Sequence, residues 1–128
     1  MATKYLDHPT VFQAAANVIK GNATTLIFTS AQPGGNAYAN IAAVALITNG
    51  SMTTANFTYT DLGAANGVQL AVSAVANMTP SANGTVVYAC LTNGSSIFYA
   101  GTTVTSQAVT TAQTWNSPAF NITIADPT

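Results

Sequence analysis

The side chains able to do chemistry are few: one histidine, His8, one cysteine, Cys90, and the carboxylates Asp7, Asp61 and Asp126. General acid–base work needs two such groups held close together. Asp61 opens the loop "DLGAANG" and Asp126 precedes Pro127, which is the ordinary turn use of aspartate. His8 lies in a lead segment and reads as a surface or capping residue. A reactive thiolate needs cationic neighbours, and the only bases are Lys4 and Lys20, so Cys90 reads as a small buried hydrophobe in a strand. No His/Cys cluster has metal-ligand spacing, and no glycine-rich loop opens a helix. These residues predict no catalytic, cofactor or metal site, and a protein that is not an enzyme.

What surrounds them is almost uncharged. Only 4% of the 128 residues are charged, where an ordinary soluble domain has about 25%. Neither arginine nor glutamate occurs, so the solvated surface must be built from Thr, Asn, Ser, Gln and backbone. With a net charge of −1 the chain lacks the repulsion that keeps proteins apart, and association into a homo-oligomer is expected. Two lysines cannot neutralise a phosphate backbone, which argues against nucleic acid as a partner. The longest strongly apolar run, "IAAVALI" at 41–47, is too short to span a bilayer, and "MATKYLDHPTVF" has no apolar segment of the secretory kind. No membrane partner is expected, and a lone cysteine fits synthesis in a reducing cytoplasm.

The length suits one domain with one core. Residues 1–9 read as a lead and 10–128 as the domain. The segment "TVFQAAANVIK" predicts the one helix, with a Thr10/Gln13 capping box, Pro9 at or before its first turn, and Lys20 and Gly21 at its end. Val11, Phe12, Ala15, Ala16, Val18 and Ile19 fall on one face, which predicts a helix lying on a core. Beyond Asn22 the period becomes two. Strands are predicted at 24–30, 40–48, 52–60, 67–75, 85–92, 96–101, 104–110 and 119–125, separated by Gly, Asn and Pro clusters. The expected class is all-β, an antiparallel β-sandwich of about eight short strands with one short N-terminal helix. Asn-Gly pairs at 49, 66, 83 and 93 are expected to make turns, and Asn-X-Ser/Thr matches such as those at 22, 49, 56, 83, 93 and 121 carry no meaning without a secretion signal.

The stretch "VVYACLTNGSSIFYAGT" concentrates the problem, because both faces of its hairpin are apolar. A two-residue turn at Asn93-Gly94 would pair Cys90 with Ile97 and Tyr88 with Tyr99 on one face, leaving Leu91, Ala89 and Phe98 on the other. Either the N-terminal helix covers the second face, or one face meets another subunit. The second reading makes Leu91, Ile97, Phe98 and Tyr99 candidate interface residues. Trp115, Tyr38, Tyr59 and Tyr99 are the aromatic side chains on which a glycan or receptor could stack, while Trp115 also suits an anchor for the last strand.

The order of "GNATTLIFTSAQPGGNAYANIAAVALIT", "GTVVYACLTNGSSIFYAGTTVT" and "AQTWNSPAFNITIADP" resembles small structural proteins of tailed bacteriophages, where a short helix leads into a strand, a "QP" loop and a sandwich. The likeness spans most of residues 10–127. It departs from the usual pattern at Ala89, Cys90, Ser95 and Ser96, where arginine and acidic residues are common in the middle hairpin. The resemblance implies a virion component made in the host cytoplasm, of the capsid decoration or cement type, oligomeric and bound to the major capsid protein or other virion proteins. A neck or tail position, or a receptor- or glycan-binding module, is the alternative.

Overall fold

A computed structural model describes residues 9–35, 37–62 and 67–124, with side chains in the first helix from Gln13 onward. Lys4, Asp7, His8, Asn66 and Asp126 lie outside the described residues, as do the side chains of Thr10, Val11 and Phe12. The chain runs α1 (Pro9–Asn22), β1 (Thr25–Thr29), α2 (Tyr38–Ala42), β2 (Ala45–Asn49), a 3₁₀ turn (Thr54–Asn56), β3 (Phe57–Asp61), β4 (Val68–Val72), β5 (Gly84–Thr92), β6 (Phe98–Val109) and β7 (Phe120–Ile124).

Two antiparallel sheets, β2-β1-β5-β6 and β3-β4-β7, form the expected all-β sandwich. Leu26, Phe28, Ile47, Ala89 and Leu91 from the first meet Phe57, Leu70, Val72 and Ile122 from the second in one buried cluster. Alternation explains the second sheet, where Val68, Leu70 and Val72 are buried and Gln69 and Ala71 only partly so. β1 breaks the alternation because it is central and covered on both faces, so all five of its residues are buried.

Seven strands are described where eight are expected. The predicted strands 96–101 and 104–110 are one strand, β6, which follows β5 along its whole length. The segment 40–48 divides: Tyr38–Ala42 is helical and only Ala45–Asn49 is strand. A register slip between Phe28 and Thr29 leaves Leu46 unpaired opposite β1, and both Leu46 and Ile47 join the core. β6 is an edge strand, and two slips in its pairing with β5 break the regular ladder that an edge would otherwise offer to another chain.

α1 starts at Pro9, so Thr10 is already helical and is not the cap. Its end also lies further on. Gly21 is helical, and Asn22 closes the last turn by donating from Nδ2 to the Val18 carbonyl at 2.8 Å. Among its described side chains Ala16 and Ile19 are buried, with Ala23 just past its end, while Ala15 is exposed and Val18 is 52% exposed, so over 13–22 the apolar face is narrower than the wheel predicts. α1 packs on β3 and β4, with Ala16 against Val68 beside Tyr59 and Ile124. No described α1 residue belongs to the cluster on the Cys90 face of the β5–β6 hairpin.

The cover on that face comes from α2. Ile41, fully buried, sits with Ile27 and Cys90 on the outer face of the first sheet, flanked by half-buried Tyr38, Ala45, Tyr88 and Phe98. Both faces of β5 are therefore covered within the chain over Ala89–Thr92, one by the second sheet and the other by a helix that the sequence reading takes for strand, while β6 stays half-buried to exposed along most of its length.

Candidate functional site

The β5–β6 hairpin carries most of the residues singled out for function, and its loop sets where they point. Asn93 holds a wider loop than the expected two-residue turn. Its Oδ1 accepts from the backbone N–H groups of Ser95, Ser96 and Ile97 at 3.1, 2.9 and 2.9 Å, and its own N–H donates to the Ile97 carbonyl at 3.1 Å. The strands then pair Thr92 with Phe98, Cys90 with Gly101 and Tyr88 with Thr103, in place of Cys90 with Ile97 and Tyr88 with Tyr99. Gly94 is left-handed at φ 84°, and a Cβ there would lie 2.7 Å from Thr25 Oγ1. Gly94→Ala is therefore expected to lower stability by about 1 kcal/mol or more through strain and crowding together, read as a lowered urea midpoint.

The wider loop separates the four candidate interface residues. Leu91 is fully buried in the core and Tyr99 is half-buried against it. Phe98 turns to the opposite face and packs with Ile27, Ile41 and Cys90, so its predicted grouping with Leu91 and Ala89 is overturned. Only Ile97 is well exposed, at 46%, and its backbone bridges to Ala37. The four do not form one surface.

Cys90 is fully buried between Ile27 and Ile41. Burial pushes its thiol pKa up to about 12, only partly offset by a hydrogen bond with the Thr29 side chain. A neutral thiol is not a nucleophile, so the site behaves as packing. Burial, and secondarily the neighbouring Cys90, also raise the phenol of Tyr88.

The aromatic candidates are dispersed. Trp115 is buried, its ring edge-on to Phe28 at 4.8 Å and 81°, and its backbone exchanges two hydrogen bonds with Met78. It anchors the chain ahead of β7 and offers no exposed face for stacking. Its Nε1 is buried with no hydrogen-bond partner among the described residues. Tyr38, Tyr59 and Tyr99 are half-buried and belong to three different clusters. They do not line one groove.

Among the described residues, no three His, Cys, Asp or Glu side chains gather as a metal site would need. Lys20 in α1 and Asp61 at the end of β3 are the described charged residues. No helix is long and apolar enough to cross a membrane. Asn83, expected in a turn, instead tethers distant backbone: its Oδ1 accepts from the Thr111 N–H at 2.8 Å while Gly84 already belongs to β5. What the sequence reading misses is the role of Ile41, hidden within a run that alternates poorly but is rich in helix-forming alanine. No family model, curated protein or solved structure matches the chain.

Proposed function

We infer that this protein is a non-enzymatic structural component of a tailed-phage virion, decorating and stabilising the capsid shell through apolar and neutral polar contacts. The observation that carries the reading is the pairing of a sandwich core with a surface that has almost no charge. Such a surface contributes little repulsion in solution, and suits a chain that functions assembled, as a homo-oligomer on the major capsid protein or another virion protein. The resemblance of the strand–loop–sandwich order to phage structural proteins supplies the virion context. Ile97 and Val18, the exposed large hydrophobics among the described residues, are the side chains there best placed to add apolar contact.

A receptor- or glycan-binding module is the weaker reading, because Trp115 is buried and Tyr38, Tyr59 and Tyr99 are divided among separate clusters. The test is co-purification with intact particles through a density gradient. A protein that stays at the top of the gradient, away from particles, sinks the virion reading.

Attachment should also be insensitive to salt. Apolar burial survives ionic strength that screens ion pairs, and this chain brings few charges to any contact. Washing particles in sodium chloride of about 1 M, where the Debye length is about 3 Å, is expected to leave the protein bound. Release by salt alone would show that ionic contacts hold it.

A further inference from the structure

We propose that Asn49-Gly50 is a site of spontaneous amide-to-acid conversion in the native protein, while the chemically identical pairs Asn83-Gly84 and Asn93-Gly94 are protected by the fold. The reaction is intramolecular. The Gly50 backbone nitrogen attacks Cγ of Asn49, the Cγ–Nδ2 bond breaks, and Nδ2 leaves as ammonia carrying the proton lost from the glycine nitrogen. Water then opens the cyclic imide at one of its two carbonyls, giving aspartate or isoaspartate. Glycine favours the attack because it has no Cβ to obstruct the approach.

The three described pairs differ in how the attacking nitrogen and the asparagine amide are held. The Gly94 N–H donates to Thr92 Oγ1 at 3.0 Å, and the Asn93 side chain accepts from three backbone N–H groups while donating to Ser96 Oγ at 3.1 Å. Gly84 lies in β5 opposite Val109, and Asn83 Oδ1 is held by the Thr111 N–H. At Asn49, Gly50 is exposed, lies just beyond β2, and its N–H has no hydrogen bond to any described residue. The Asn49 amide is held by one Ser51 N–H at 3.1 Å and by a long 3.5 Å contact from Nδ2 to the Met52 sulfur.

The product would matter locally. Asn49 pairs with Leu26 at the end of the β1–β2 ladder, and isoaspartate would add a backbone atom there. Both acids lose the Nδ2 donor facing buried Met52: aspartate puts a carboxylate in its place, whereas isoaspartate carries Cγ in the main chain and its carboxylate on Cα, and either takes the net charge of the chain from −1 to −2.

The test is to incubate the full-length protein at mildly alkaline pH and follow each Asn-Gly peptide by mass spectrometry, with the same incubation in denaturant as the reference. In the native protein Asn49 should convert about tenfold or more faster than Asn83 and Asn93, since those two must first open locally. In denaturant the three rates should converge. Gly50→Ala should slow the native reaction at Asn49 without changing the other two sites. Equal native rates at the three sites, or a faster rate at Asn93 or Asn83, would overturn the proposal; so would a rate at Asn49 that rises in denaturant as steeply as theirs.

Discussion

Phe28→Ala is expected to remove about 3–5 kcal/mol of stability, the range for truncating a fully buried aromatic. Phe28 is fully buried in a central strand and links the two sheets, with Trp115 edge-on at 4.8 Å and Phe120 at 6.3 Å and 80°. Each aromatic pair adds about 0.5–1.5 kcal/mol beyond area burial, so the truncation loses contacts as well as leaving a cavity. Domains of this size have about 5–15 kcal/mol in total, so the variant should be close to unfolded at moderate urea. The urea midpoint of the variant measures it, with Val18→Ala as the comparison. Val18 projects from α1 largely into solvent and its truncation should fall within about 0.5 kcal/mol of wild type. A Phe28→Ala midpoint equal to that of wild type would mean that the two sheets are not joined through this ring.

The second large effect concerns Cys90. With its pKa raised from 9.0 to about 12, the thiolate fraction near neutral pH falls about a thousandfold relative to an ordinary thiol. Alkylation by iodoacetamide should therefore be slower by more than about tenfold in the folded protein, the lost thiolate outweighing the greater nucleophilicity of a more basic sulfur, and recover on unfolding. The same burial sets a direction for pH. Because the folded-state pKa lies above the unfolded one, the contribution is fully present below pH 9 and is lost as pH rises toward about 12, at up to about 1.4 kcal/mol per pH unit. Tyr88, raised by the same burial, adds loss in the same direction. Stability should thus fall on the alkaline side, and Cys90→Ala should flatten the fall even though it leaves a small cavity. Rapid alkylation of the native protein would show that the α2 cover opens readily.

A sandwich with one leading helix is legible from the residues alone, because a single 3.6 stripe followed by a period of two leaves few other ways to bury the apolar residues. The split of β5 into a Tyr88/Cys90 face and an Ala89/Leu91 face was also legible, since alternation along one strand is local. The partner register was not. It depends on the Asn93 side chain capturing three backbone amides, and this widens the loop and redirects Phe98 and Ile97. Propensity could not decide between strand and helix for 38–44, because an alanine-rich apolar run suits either. What decided it was the uncovered outer face of a central pair of strands, which Ile41 fills from a helix and would not fill from an extended segment. The docking of α1 on β3 and β4 is likewise a tertiary matter: Ala16 and Ile19 could rest on any apolar surface, and only the assembled sheets show that Val68 and its neighbours receive Ala16.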